Sequence, residues 1–207
     1  MASYLYIYLA CILDQRTYII KNYCIIIIGM EFLRGKINMI PKRVKQFYIN
    51  VTDIMSKEDY NYVEDVLNNN ELQLFIKLSK SEQKHSVRIA KKIEFIIDNS
   101  LTYSQEIIKN RDILIKAGLL HDIGKIKKRI NVIDKSIIVI LNKLTKGELK
   151  KIKKSKKIQC YYNHSEYSYE ILKKIIDDFL LLEIIKNHHN NSDNEIIKFL
   201  KEIDDEN

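Results

Sequence analysis

Long stretches in which Ile and Leu alternate with Lys, Glu and Asn in a period of three to four residues predict helices along most of this chain. Ser56, followed by Lys57, Glu58 and Asp59, has the form of an N-cap with acidic residues in the first turn. That arrangement complements the helix dipole and opens a helix reaching about Leu67. Asn68, Asn69 and Asn70 break it, a short helix follows over 71–78, and Ser81 with Glu82 begins a longer one reaching about Asp98. Ile89, Ile93 and Ile96 mark the apolar face of this longer helix. His85 stands four residues before Ile89, so it belongs to the inner face. The pattern recurs further on. Leu114, Ala117 and His121 share one stripe; His164, Ser168, Leu172 and Ile175 share another; Leu181, Ile184 and His188 form a third. Four separate helices direct a histidine inward.

Composition agrees with this picture and narrows it. With 207 residues, 46% hydrophobic and 30% charged, the chain suits one globular domain with a short extension. Five glycines and one proline leave little turn chemistry for a many-stranded sheet, so the expected fold class is all-α. Residues 4–13 and 23–33 are apolar, but Asp14, Gln15, Arg16 and Lys21 interrupt them and neither run reaches the ~18 residues of a spanning helix. No stable membrane span is expected, and the start lacks the basic residues of a secretory signal. The organisation that follows is an apolar extension over 1–38, a helical lead-in over 39–80 and the functional domain over 81–207. Either translation starts naturally at Met30 or Met39, or the extension is a weak membrane- or partner-binding hairpin. Cys11, Cys24 and Cys160 form no CxxC pair, which suits a reducing cytoplasm. Lysine is abundant throughout, so the net charge of +8 reads as compositional bias without a specific nucleic-acid partner. The basic stretch over 146–157, KGELKKIKKSKK, reads as a solvated helix or loop outside the site.

The histidines carry the chemistry. There are five, His85, His121, His164, His188 and His189, and all lie on an inward stripe or beside one. Several imidazoles buried together need something to satisfy their nitrogens, and a divalent cation whose shell is completed by carboxylates does so. Asp122 directly follows His121, and Gly124 is expected to bend the backbone so that neighbouring side chains converge on one ion. Asp204 lies four residues after Leu200 and seven after Ile197, on an apolar stripe that Asp205 misses. Asp193 has a simpler role near an N-cap with Ser192.

His121-Asp122-Ile123-Gly124-Lys125 resembles the HDIGK signature of the HD-domain metal-dependent phosphohydrolases, with His85 as the family's first histidine and Asp204 as its closing aspartate. The resemblance covers about 81–205. It implies an HD-domain-like helical bundle around a buried metal site, with His85, His121, Asp122 and Asp204 as ligands of a first ion. His164 and His188 match additional histidines of dinuclear branches, where Asp122 bridges two ions, and His189 is left open. One or two divalent ions are implied, of manganese, iron, cobalt, nickel, zinc or magnesium. The expected activity is hydrolysis of a phosphate ester, with a small phosphorylated partner of nucleotide type as substrate. Asp122 and Lys125 serve the reaction, Lys125 as a fixed cation for a phosphate oxygen. The alternative is a non-catalytic helical module of the same architecture. No GYP tripeptide follows the signature, which weakens a cyclic-dinucleotide substrate, and no GxxxxGK[ST] loop points to ATP-driven chemistry.

Overall fold

The computed structural model describes residues 52–99, 102–130, 132–152 and 154–207. The extension over 1–38, the first part of the lead-in, Cys11 and Cys24 lie outside the described residues. Nine α-helices are present among the described residues: α1 (Lys57–Val66), α2 (Asn69–Phe75), α3 (Lys80–Asn99), α4 (Gln105–Lys109), α5 (Arg111–Leu120), α6 (Val132–Leu144), α7 (Lys156–Leu172), α8 (Phe179–Asn187) and α9 (Glu195–Glu206). Two 3-10 turns, Ile123–Lys127 and Glu148–Lys151, join α5 to α6 and α6 to α7, and the described residues include no strand.

Caps decide several boundaries. Ser56 and Asp59 form the reciprocal capping pair of α1, each side chain bonding the other's backbone amide. The three asparagines do not simply break the chain. Asn68 caps α2 by accepting from the amides of Asn70 and Glu71, while Asn69 and Asn70 are its first helical residues, so that helix starts two residues earlier than its composition suggests and ends at Phe75. α3 likewise opens at Lys80, where Ser79 Oγ rather than Ser81 accepts the Glu82 amide. Before α9 the cap is Asn194, which accepts from Ile196 and Ile197, and Asp193 is exposed. α7 ends at Leu172, so its buried stripe stops there; Ile176, past the helix end, is buried in place of Ile175.

α3 and α5 form the centre and cross closely because Ala90 faces Gly118: a Cβ on Gly118 would lie 3.2 Å from the Ala90 backbone. α1, α2, α8 and α9 pack around them, and one continuous core joins Val63, Phe75, Ile89, Leu114, Ile184 and Leu200. The helices of the lead-in therefore share the core of the domain that follows. A second, small cluster of Ile130, Ile138, Leu149 and Cys160 holds α6 and the second 3-10 turn against α7.

Candidate metal centre

Five helices and one turn converge on one buried centre. α3 brings Glu82 and His85, the end of α5 brings His121, the turn after it Asp122 and Lys125, α7 brings His164, the end of α8 His188 and His189, and α9 Asp204. His121 is the C-cap of α5, and Asp122, at φ −97 and ψ 5, leaves helical geometry, so adjacent side chains that would diverge on a helix reach the same place.

The turn is pinned onto α7. Gly124 donates its amide to Ser168 Oγ at 2.7 Å, and that hydroxyl lies 2.6 Å from His121 O and 2.9 Å from His164 O, the acceptors for its single proton. Gly124 serves here by lacking a Cβ, not by bending: among described residues positive φ occurs at Lys146 and Gly147 alone. A Cβ on Gly124 would fall 2.0 Å from His164 O and 2.7 Å from Ser168 N.

Asp122 sits between two sets of donors. Its Oδ2 lies 3.3 Å from His121 Nε2 and 3.9 Å from His85 Nε2, while Asp204 Oδ1 is 3.0 Å from His85 Nε2. Its Oδ1 faces the other way, 3.3 Å from His164 Nε2. His164, His188 and His189 bring ligand atoms within 4.8 Å of one another, as do His85, His121 and Asp122, and a third such group, His121, His188 and Asp204, links the two. Each sequence-predicted ligand is thus brought in, with His189 beside His164 at an Nε2 separation of 2.7 Å.

The donor set fits a divalent cation. His121, His164 and His188 each place Nδ1 2.7–2.9 Å from the carbonyl three residues back, on Gly118, Tyr161 and Ile185. A carbonyl only accepts, so each Nδ1 carries the proton and each Nε2 turns a lone pair inward, the tautomer of a metal-ligating imidazole. His121 Nε2, His188 Nε2 and Asp122 Oδ1 are buried with no hydrogen-bond partner, which would cost of order 1–3 kcal/mol each if nothing satisfied them. His85 differs, since its Nε2 meets Asp204 and its buried Nδ1 has no partner.

Lys125 is brought into the site but is buried, its ammonium 2.5 Å from Asp122 Oδ2 and 2.8 Å from Glu82 Oε2. The sequence marks Glu82 as a helix-opening residue; its spacing of three from His85 on the same helix is the signal that places it on the site face. Burial works to raise the Asp122 pKa, but Lys125, His121 and His164 overcome it and hold the carboxyl well below its ordinary range. Asp204 is likewise held low against burial by its bond to His85 and by the neighbouring His121. Burial pushes His164 down to about 3 and His188 well below its usual value, so both rings are neutral. At His121 burial is outweighed by Asp122, and the pKa rises.

The family model described as HD domain matches residues 83–206. No curated protein and no solved structure matches the chain.

Proposed function

Since the chain belongs to the HD domain family, a family of metal-dependent phosphohydrolase type, we propose that it hydrolyses a phosphate ester, as a phosphomonoesterase or phosphodiesterase on a nucleotide-type substrate. The observation that carries this reading is the division of Asp122 between two ligand groups, Oδ2 toward His85, His121 and Asp204 and Oδ1 toward His164, with His188 and His189 beyond. In this reading each group would hold a divalent ion, and Asp122 would serve both. A divalent cation bound there lowers the pKa of the attacking water and offsets the charge on the phosphoryl oxygens.

The chain's own residues supply the order that chemistry needs. His121, His164 and His188 are locked by their Nδ1 bonds, so their lone pairs are aimed before any ligand arrives. Lys125, held by Glu82, orients Asp122 and balances its charge; in this reading it acts first on the carboxylate. Before an ion takes the His164 lone pair, His189, the exposed member of the cluster, carries at its own Nε2 the proton shared between the two rings, because His164 is protonated at Nδ1. It is therefore the group placed to exchange a proton with solvent or substrate. Three buried ligand atoms left unpartnered by the protein favour this reading over a non-catalytic module.

The test is manganese-supported hydrolysis of an aryl phosphodiester and monoester by the purified chain, with Asp122→Ala prepared alongside. Activity in the parent falling at least roughly hundredfold in the variant is the expected result. Equal rates in the two proteins would remove the site from the reaction.

A further inference from the structure

The face formed by α6, the turn after it and the start of α7 is not used by the metal centre. Residues 127–157 hold twelve Lys and Arg against two acidic residues, Asp134 and Glu148. That excess exceeds the net +8 of the whole chain, so the remainder is slightly acidic. The net positive charge of the chain is therefore carried by this segment, although lysine is abundant throughout. Lys127, Lys128, Arg129, Lys146, Lys150 and Lys154 are exposed.

Apolar residues are interspersed with these charges along the segment. On α6, Ile138 is buried in the small cluster with Leu149 and Cys160, which accounts for one side of the helix. Ile137 and Leu141, spaced by four and therefore on one stripe, are 47% and 39% exposed. Ile152, at the end of the 3-10 turn that packs beside α6, is 45% exposed. Two anchors hold α6 in place: Asp134 pairs with Lys157 at 2.7 Å, and Tyr162 Oη donates to Asn142 Oδ1 at 2.6 Å.

We propose that this face docks on an anionic phospholipid bilayer, with Ile137, Leu141 and Ile152 entering the headgroup region while the lysines pair with lipid phosphates. Charge complementarity selects the partner. A second copy of the chain would set two strongly basic segments against each other, and a nucleic acid would use the charge while leaving the aliphatic side chains in water. A lipid surface satisfies both, because lysine stems lie along the apolar layer and their ammonium groups reach the phosphates. The inference is independent of the phosphohydrolase reading.

The experiment is co-sedimentation of the full chain with vesicles of phosphatidylcholine, with and without phosphatidylserine. Binding is expected to require the anionic lipid and to weaken roughly fivefold for each of Lys150→Gln and Lys154→Gln at low salt. Ile137→Ser with Leu141→Ser should weaken it roughly tenfold with the charge intact. Ile152→Ser, outside any α-helix, gives the same reading should the α6 pair disturb folding. Three results overturn the proposal: binding to neither vesicle, binding by the aliphatic variants equal to the parent, or equal displacement of parent and variants by a short RNA.

Discussion

Gly124 and Asp122 show how much a single position can carry. The path of α7 over the turn leaves no room at Gly124 for even a methyl group, and the obstructing atoms are backbone and the Cβ of Tyr167, which no rotamer can move aside. Gly124→Ala should cost about 3 kcal/mol or more, read as a lower denaturation midpoint or loss of the cooperative transition. The glycine itself was legible in the sequence, but its reason was not. The pentapeptide suggested a bend, whereas the cause is a helix forty residues later lying on the turn, a contact that local pattern does not encode. At Asp122 the residue type was equally legible, while the assignment of one oxygen to each ligand group depends on where α7 comes to rest.

Among elements, the joint between α1 and α3 rests on one buried carboxylate. Asp59 takes part in the cap of α1 and accepts Lys84 at 2.6 Å and Lys91 at 2.7 Å, both from α3. Burial works to raise its pKa, and the bonds to Lys84, Lys91 and the Ser56 amide overcome it and bring it far below the ordinary carboxylate value. Because the folded-state pKa is the lower one, this contribution is complete above the unfolded pKa of about 3.9 and fades as the pH falls beneath it. Asp59→Ala should therefore destabilise by about 2–3 kcal/mol at neutral pH, with the difference from the parent shrinking in acid-titrated thermal melts. The cap was legible from Ser56 and its acidic neighbours. The lysine partners were not, since nothing local distinguishes Lys84 or Lys91 from the chain's many other lysines.

For the whole molecule, convergence of five helices and one turn on one centre would couple folding to the binding of an ion there. An ion at about a hundred times its Kd adds about 2.7 kcal/mol. For a domain of this size that is a rise of roughly 5–10 °C in Tm, reversed by chelator and absent from Asp122→Asn. Without metal, acid should unfold the protein through its neutral histidines. The folded pKa of His164 is lowered to about 3, so its contribution is complete above the unfolded value near 6.5 and is lost progressively as pH falls toward 3. His121, with a raised pKa, opposes this, being favourable below about 6.5 and losing its contribution as pH rises. Melts of the chelated protein should fall in Tm between pH 6.5 and 3, and His164→Gln should flatten that limb.

By itself the sequence determined the helical class, the inward stripes that aim His85, His121, His164 and His188, and the His121-Asp122 doublet, because helical periodicity and residue chemistry are local properties. Only the tertiary structure decided that Glu82 and Lys125 form a charge pair behind Asp122, that His189 meets His164 at the exposed edge, and that Ser168 locks the turn. Each of these joins residues 25 to 47 positions apart, on helices whose relative placement follows from packing the whole core and not from any one segment.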